Sequence, residues 1–319
     1  MTDWPDRATV EEGLALLGPA GRRDWPVGPL TTYRVGGAAA LLVEAAAEDD
    51  LVRAGRALRV TGLPVLVVGR GSNLLVAEAG FPGLVVVLGA AYAGVEIAGV
   101  EVTVGAATSL PVLARQTAAA GLTGLEWAVG VPGSVGGGVR MNAGGHGSDL
   151  QASLRSVDLF DLARGGAKSW GVADLKPAYR SSAVLPTDVV VSARFALATG
   201  DPEAAKARIS EIVRWRAAHQ PGGSNAGSVF TNPEGDSAGR LVEAAGLKGR
   251  RLGTAQVSPK HANFIQSEAG GSADDVAALA AMVQAEVAER FEVHLAPELR
   301  MVGAFPRAPR RAEGAEVGP

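Results

Sequence analysis

The alternation of apolar and polar positions in the first half of the chain predicts helices interleaved with short buried strands. Residues 48–59 place acidic side chains in the first turn and arginines in the last, the order that the helix dipole favours. Two apolar runs rich in β-branched residues, 64–68 and 84–88, are typical of buried strands. Ser109 is a suitable N-cap for a second helix, and Gly121 is a suitable end for it. This half therefore predicts mixed α and β structure.

The second half of the chain begins with strands and then becomes more helical. Residues 154–162 and 189–197 are strand-like, and the Thr-Gly-Asp-Pro sequence at 199–202 starts a helix that runs to about residue 218. Because the pattern changes at this helix, we place a domain boundary at residue 200. The elements predicted beyond it are, in order, a loop to Asn232, a helix from Ser237, strands near residues 252–257 and 263–266, and a helix from Ser272.

The last of these helices is strongly amphipathic. It starts at Ser272 with Asp275 three residues on, which is the spacing of a capping box. Its apolar positions fall on one helical face: Val276, Leu279, Ala280, Val283, Val287 and Phe291. We expect this helix to pack against the core of its domain and to take no part in chemistry.

The length of the chain, 319 residues, exceeds what a single hydrophobic core usually supports, so two domains are expected. The division that the pattern predicts is an N-terminal arm (1–27), a first domain (28–199), a second domain (200–305) and a disordered tail (306–319). The tail is rich in proline, glycine and charged residues.

Composition and charge exclude several classes of partner. The net charge of −3 gives no overall attraction to nucleic acid or to an anionic membrane surface. The chain has no cysteine, which fits a reducing compartment, and its four histidines lack the spacing of metal ligands. Its N-terminus lacks the pattern of a secretory signal, and no apolar run reaches the length that spans a bilayer. We therefore expect a cytoplasmic protein without a metal site.

The first candidate for chemistry is a glycine loop directly after the strand at 64–68. The loop consists of Gly69, Arg70, Gly71, Ser72 and Asn73. It starts like a dinucleotide-binding fingerprint, but the third glycine position is not glycine and no acidic residue ends a strand about twenty residues later. The chain also lacks the P-loop motif. A Rossmann or P-loop site is therefore disfavoured, and a simple tight turn stays an alternative.

A second glycine-rich loop runs from residue 130 to residue 147. Eight of its eighteen positions are glycine, a density that disfavours any regular element and indicates a backbone fixed by close contact. Backbone N–H groups of both glycine loops can converge on a pyrophosphate without a lysine. The two loops together therefore favour a dinucleotide cofactor, although each loop alone is also compatible with a tight turn.

A Gly-x-Ser-x-Gly sequence at residues 235–239 matches the nucleophile motif of serine hydrolases. That motif requires an apolar strand before the serine, whereas Ser237 follows a turn and stands where the next helix needs an N-cap. We expect Ser237 to cap the helix, and a hydrolase stays a competing hypothesis.

Taken in order, nine segments resemble one family, the UDP-N-acetylenolpyruvylglucosamine reductases, in the subtype that lacks an extra tyrosine-bearing loop. One of these motifs alone would be weak, but nine in the same order are highly specific. They lie at residues 31–37, 68–76, 131–137, 141–144, 179–182, 225–230, 244–249, 260–265 and 295–298.

The resemblance implies a fold, a cofactor and a reaction. The fold class would be α+β, with an FAD-binding domain of the vanillyl-alcohol-oxidase type followed by a smaller α+β substrate-binding domain. The cofactor would be FAD, reduced by NADPH. The enzyme would reduce UDP-N-acetylglucosamine enolpyruvate to UDP-N-acetylmuramate during synthesis of peptidoglycan precursors. Its partners would be small molecules only, and we expect a monomer.

The resemblance also assigns roles to individual residues. The catalytic residues would be Arg180 and Glu298, which face the substrate carboxylate, and Ser228, which donates a proton to the α-carbon. Those next to FAD would be Gly69, Arg70, Gly71, Ser72, Asn73, Pro132, Gly133, Ser134, Gly136, Gly137, Asn142 and Ala143. Further substrate contacts would come from Tyr179, Asn232, Lys260, His261 and Asn263. The competing hypotheses are another oxidoreductase on the same FAD fold and an inactive nucleotide-binding module.

Overall fold

The computed structural model describes residues 4–306. The expected disordered tail therefore lies, apart from Pro306, outside the described residues.

The α-helices are α1 Arg7–Leu17, α2 Glu48–Thr61, α3 Leu110–Ala119, α4 Val135–Arg140, α5 Val172–Leu175, α6 Pro202–His219, α7 Ala238–Ala244 and α8 Ala273–Phe291. The strands of the first half are β1 Gly21–Pro26, β2 Ala38–Ala45, β3 Val65–Val68, β4 Leu74–Val76, β5 Phe81–Leu88, β6 Val95–Ala98, β7 Glu101–Gly105 and β8 Leu122–Thr123. Those of the second half are β9 Gly144–Gly145, β10 Ser148–Asp149, β11 Leu154–Asp161, β12 Gly166–Gly171, β13 Asp188–Ala196, β14 Ala198–Thr199, β15 Arg251–Leu252, β16 Ala255–Val257, β17 Ile265–Ser267 and β18 Arg300–Val302.

A four-stranded sheet in the order β1-β2-β5-β3 carries the first glycine loop at its edge. Strands β2, β5 and β3 are parallel, and helix α2 provides the crossover between β2 and β3. The helix predicted over residues 48–59 is confirmed and ends at Thr61, because Gly62 adopts a left-handed conformation with φ of 66°. Its Asp50 carboxylate accepts hydrogen bonds from the N–H groups of Ala46 and Ala47. Strand β3 ends directly before Gly69 and so fixes where the loop begins.

The N-terminal residues belong to this first sheet. Helix α1 packs on α2, and strand β1 pairs in antiparallel fashion with β2, from Gly21 opposite Val43 to Pro26 opposite Ala38. Leu17 is fully buried in the same core. The segment expected to be an arm, residues 1–27, is therefore packed against the first domain in its described part.

A five-stranded antiparallel sheet in the order β12-β11-β13-β7-β6 forms the second layer. The strands predicted near residues 154–162 and 189–197 are confirmed as β11 and β13. Helix α3 covers this sheet and starts after Ser109, as predicted. The buried side chains of Ile209 and Ile212 place helix α6 in the same core, although the helix follows the boundary expected at residue 200.

The prediction that the second glycine loop lacks regular structure is wrong in two places, since residues 135–140 form helix α4 and residues 144–145 form strand β9. Ser134 caps this helix, because its Oγ accepts a hydrogen bond from the N–H of Gly137 at 3.4 Å. A Cβ on Gly138 would lie 2.9 Å from Leu150 Cδ1, and one on Gly136 would lie 3.0 Å from Ala106 Cβ. Glycine is used here for close packing, which offsets its low helix propensity.

The second domain is a three-stranded sheet, β15-β16-β17, packed against helices α7 and α8. Ser237 caps α7 as predicted, with its Oγ accepting from the N–H of Arg240. The amphipathic face of α8 is confirmed, but the capping box is not. Asp275 accepts instead from the backbone N–H and hydroxyl of Thr254, and Ser272 caps through the N–H of Asp274. Asp275 thereby ties α8 to the β15–β16 hairpin.

Several contacts between residues distant in the chain join the domains, and a strand pair and a buried tyrosine are among them. Strand β18, near the end of the chain, pairs in parallel with β4, with Arg300 opposite Leu74. The side chain of Tyr33 is fully buried in the second core, and its hydroxyl donates a hydrogen bond to the carbonyl of Ile265 at 2.9 Å. Residues early in the chain therefore help to build the second core.

Candidate active site

A cavity of about 420 Å³ lies where the two glycine loops meet the second domain. Its lining includes much of the sequence-predicted cofactor site: Gly69, Arg70, Gly71, Ser72, Asn73, Pro132, Gly133, Ser134, Gly137 and Ala143. It also includes all three predicted catalytic residues, Arg180, Ser228 and Glu298. Residues that are far apart in sequence are thus brought to one concave surface.

The first glycine loop depends on glycine for its path. Gly71 adopts φ of 56°, and a Cβ there would lie 2.3 Å from the carbonyl oxygen of Leu30. A Cβ on Gly69 would lie 2.3 Å from Ser134 Oγ, so the two glycine loops touch at this point. A side chain at position 69 would push the two loops apart, and one at position 71 would push the first loop away from Leu30, so either would alter the cavity wall.

Two of the predicted cofactor residues turn away from the cavity. Gly136 packs inside α4, as described above, and Asn142 is 6% exposed. The Asn142 amide donates to Asp149 Oδ2 and to the carbonyl of Ala178, and its Oδ1 accepts from the N–H of Gln151. Among the described residues neither Gly136 nor Asn142 lines the cavity. Asn142 instead ties the second glycine loop to the segment that carries Arg180.

The cavity is strongly cationic. Of the described residues that line it, five are arginines and one, Glu298, is a carboxylate. Three of these arginines were not predicted as site residues, because their sequence context is typical of solvated side chains: Arg140, Arg216 and Arg300. Burial lowers the pKa of Arg216 and of Arg140 below the usual arginine value, and the nearby Arg300 adds to the effect at Arg140. A cavity with this excess of guanidinium groups is suited to anionic ligands.

Arg180 and Glu298 form an ion pair inside the cavity. The guanidinium Nε donates to Glu298 Oε1 at 2.7 Å, and the two side chains are 27% and 15% exposed. Arg180 adopts φ of 54°, an uncommon conformation for arginine that is held by the surrounding turn. The ring of Tyr179 lies 4.9 Å from the Arg180 guanidinium carbon. One guanidinium edge is used by Glu298, and the remaining N–H groups are available for an anion.

The segment that presents Ser228 is clamped on one side by the chain around Glu298. The N–H of Glu298 donates to the carbonyl of Val229 at 2.8 Å, and the N–H of Thr231 donates to the carbonyl of Ala296 at 2.9 Å. The carbonyl of Glu298 in turn accepts from Asn73 Nδ2 at 3.0 Å. The first glycine loop, the Glu298 segment and the Ser228 segment are therefore connected by hydrogen bonds.

The other predicted substrate residues have different positions. Tyr179 is 65% exposed beside Arg180. Asn232 Oδ1 accepts from the N–H of Ala238 at the start of α7, and Lys260 Nζ donates to the carbonyl of Ala217 at 2.5 Å. The remaining two, His261 and Asn263, are engaged with neighbouring protein atoms. Among the described residues, none of these five lines the cavity, so their expected substrate contacts stay a prediction.

Comparison with known proteins finds one family match in each half of the chain. A family model described as FAD binding domain matches residues 39–169, and one described as UDP-N-acetylenolpyruvoylglucosamine reductase, C-terminal domain, matches residues 219–302. The UDP-N-acetylenolpyruvoylglucosamine reductase of Rubrobacter xylanophilus is 40% identical over 292 residues, which cover 91% of this chain and 98% of that protein. The protein of the same name from Heliobacterium modesticaldum is 42% identical over 281 residues, covering 87% and 89%.

The fold is also shared with a solved structure. The reductase from Thermus caldophilus is 36% identical, with a TM-score of 0.77 over 87% of this chain and 97% of the other. The fold and the matched domains define an FAD-containing oxidoreductase. The chain belongs to the UDP-N-acetylenolpyruvoylglucosamine reductase family. The predicted family and the predicted α+β fold class are confirmed.

The residues of the cavity fit FAD. The glycine loops allow a ligand to approach the backbone closely, and Gly137, in the first turn of α4, lines the cavity and is exposed. The excess of arginine over carboxylate matches the charge of a diphosphate. In the part of the chain that the structure describes, no helix is long and apolar enough to cross a membrane. Residues 4–306 also contain no cluster of three acidic or histidine side chains arranged for a metal ion.

Proposed function

We propose that this protein reduces UDP-N-acetylglucosamine enolpyruvate to UDP-N-acetylmuramate, with FAD as its bound cofactor and NADPH as the reductant. The observation that carries the proposal is that Arg180, Glu298 and Ser228 line the same cavity as the two glycine loops. Family membership supports the same reaction, because the relatives in Rubrobacter and Heliobacterium are both named as reductases of this substrate.

The roles of the protein groups follow from the charge that develops on the substrate. When bound and reduced by NADPH, FAD would supply the hydride that adds to the terminal vinyl carbon of the enolpyruvyl group. Negative charge then moves through the α-carbon into the substrate carboxylate. The free edge of the Arg180 guanidinium binds this carboxylate and stabilises the enolate.

Glu298 would repel the enolate if it stood alone as a carboxylate. It accepts a hydrogen bond from Arg180, so its charge is balanced within the protein and its role is to fix the direction of the guanidinium. Ser228 donates its hydroxyl proton to the α-carbon, which completes the addition of a hydride and a proton across the double bond.

We also propose how the rest of the molecule is organised. Because α6 packs into the first core and the second family match begins at residue 219, we place the boundary between the two domains at the end of α6, not at residue 200. All three catalytic residues come from one chain, which supports a monomer. A cytoplasmic location is supported by the lack of cysteine and by small-molecule partners, NADPH and the UDP-sugar, that occur there.

The test is the visible absorption spectrum of the purified protein under anaerobic conditions. NADPH should bleach the flavin band, and the enolpyruvyl substrate should then restore it. A protein that stays colourless with added FAD would contradict the flavin assignment. Bleaching that the substrate does not reverse would favour another oxidoreductase on this fold, and binding of FAD without any bleaching would favour an inactive nucleotide-binding module.

A variant at Ser228 tests the proton donor separately. In Ser228→Ala the bleaching by NADPH should be unchanged, because that step requires no proton from the serine. Restoration of the band by substrate should slow by at least about 100-fold, the usual contribution of a positioned acid. Ser224→Ala, four residues earlier in the same loop, is the matched control. Normal restoration in Ser228→Ala would remove the proposed role.

A further inference from the structure

The asparagine at position 263 holds the backbone that presents Ser228. Its side chain is 4% exposed and makes two hydrogen bonds to one residue. Oδ1 accepts from the N–H of Phe230 at 3.0 Å, and Nδ2 donates to the carbonyl of Phe230 at 2.8 Å. The backbone carbonyl of Asn263 also accepts from the N–H of Val229 at 2.9 Å. The amide therefore pairs with Phe230 as a neighbouring strand would.

The opposite side of the same segment is held by the chain that carries Glu298. Phe230 forms an isolated antiparallel β-bridge with Pro297, and the carbonyl of Val229 accepts a hydrogen bond from the N–H of Glu298. Val229 and Phe230 are both buried, at 1% and 2% exposure. Val229 and Phe230 are thus held from both sides. Among residues 4–306, the backbone hydrogen bonds on the side opposite the Glu298 segment come from Asn263 alone.

We infer that Asn263 is a positioning residue, which sets the place of the Ser228 hydroxyl. The inference rests on the proposed function, because it assigns Asn263 a role in delivering the proton. It also replaces the substrate contact that the sequence led us to expect. Both polar atoms of the side chain are used on Phe230, and among described residues Asn263 does not line the cavity.

The physical reason is the cost of a small displacement. Proton transfer requires the hydroxyl within hydrogen-bond distance of the α-carbon, and a shift of about 1 Å can slow such a step by about 100-fold. Without the amide, the buried N–H and carbonyl of Phe230 lose their partners, and the segment must move to find new ones. Ser228 would move with it.

The experiment measures the two half-reactions of the FAD-loaded Asn263→Ala protein. Bleaching by NADPH should stay within about twofold of the wild type, because it does not use Ser228. Restoration of the band by substrate should slow by about 100-fold. The matched control is Gln256→Ala, which removes an amide that donates to the carbonyl of Gly249 at 3.2 Å in the same domain. A general loss of packing would instead lower both half-reactions together and would overturn the inference.

A double variant shows whether Asn263 acts through the serine. In the Ser228→Ala background, adding Asn263→Ala should slow restoration little further, since the group that it positions is already absent. Additive losses would overturn the inference. If wild-type protein itself fails to bleach or to recover, the proposed function fails, and that result is distinct from a failure at position 263.

Asn263→Asp keeps the test valid if the alanine variant does not fold. The aspartyl side chain has the same size, and when protonated it can donate to the carbonyl of Phe230 as the amide does. Burial favours that protonated form, so restoration should become faster as pH falls, relative to wild type. The titratable neighbour His261, whose Nδ1 accepts from the N–H of residue 263, would couple to a new carboxyl there, so the comparison is repeated with His261→Gln in both proteins. A ratio that does not change with pH would overturn the inference.

Discussion

Arg180 donates through Nε to Oε1 of Glu298 at 2.7 Å, although the two residues are 118 positions apart in the chain. The pair joins a turn of the first domain to the last segment of the second. It uses one edge of the guanidinium and leaves the other for a substrate carboxylate. We therefore expect the reaction to require the planar, two-edged guanidinium of Arg180 and not its positive charge alone.

The variant Arg180→Lys tests this requirement. Lysine keeps the charge but loses the planar fork, so it cannot bind Glu298 and a carboxylate in the same arrangement. Restoration of the flavin band by substrate should fall by about 100-fold or more, the usual loss when one stabilising donor is removed. The same exchange at Arg240, which pairs with Asp236 on the surface of α7, is the control and should have little effect. Equal rates for Arg180→Lys and wild type would contradict the assigned role.

Gly71→Ala should weaken both the fold and the binding of FAD. The residue has φ of 56°, and its new Cβ would lie 2.3 Å from the carbonyl of Leu30. We expect a loss of about 2–3 kcal/mol in the free energy of unfolding, together with weaker binding in an FAD titration. Gly166→Ala is the control, because that glycine has nothing within 4 Å of the added Cβ. Similar losses in both variants would show that the loop is not specially constrained.

Elements with a local sequence signal could be predicted from the sequence, whereas elements fixed by distant contacts could not. Helix α2, strands β11 and β13 and the cap at Ser237 were predictable because their signals are local: charge order, β-branched runs and an N-cap serine. Helix α4 was missed because its glycines are explained by neighbours distant in sequence, such as Ala106 against Gly136. The role of Asp275 was missed for the same reason, since Thr254 lies across the domain from it.

The site was predictable to a similar extent. The loop motifs located most of the cavity wall, because short glycine-rich segments carry their own conformational signal. Arg216 gave no such signal, since an arginine near the end of an exposed helix is usually solvated. Only the packing of α6 against the first core brings it to the cavity.

Tyr33→Phe should destabilise the junction between the domains. The hydroxyl is fully buried, burial strongly raises its pKa, and it donates to the carbonyl of Ile265. Removing it should lower the free energy of unfolding by about 1–2 kcal/mol in a urea titration, the cost of a buried hydrogen bond that is lost. Tyr92→Phe, at a partly exposed tyrosine of the first domain, is the control and should change stability by less than about 0.5 kcal/mol. If both variants match the wild type, the hydroxyl does not stabilise the junction.

Stability should fall in mild acid, in part because of His261. Burial lowers the pKa of this histidine below 6.5, and Lys248 adds to the effect. The unfolded chain therefore binds the proton more readily, so the free energy of unfolding declines as pH falls from about 6.5 through the folded pKa. His146, whose pKa burial also lowers, contributes in the same direction. In His261→Gln the decline between pH 7 and 5 should be shallower in urea titrations, and parallel curves for the two proteins would exclude His261 as a cause.

The pairing of β18 with β4 has a consequence for how the protein is made. Leu74, next to the first glycine loop, is synthesised early, but its partner Arg300 leaves the ribosome only after most of the second domain. The Asn73 contact to Glu298 depends on the same late segment. The wall of the cofactor cavity is therefore completed only when this strand has been made, so a nascent chain halted before it has no complete place for FAD. Cofactor capture in this protein thus reports that translation has passed strand β18.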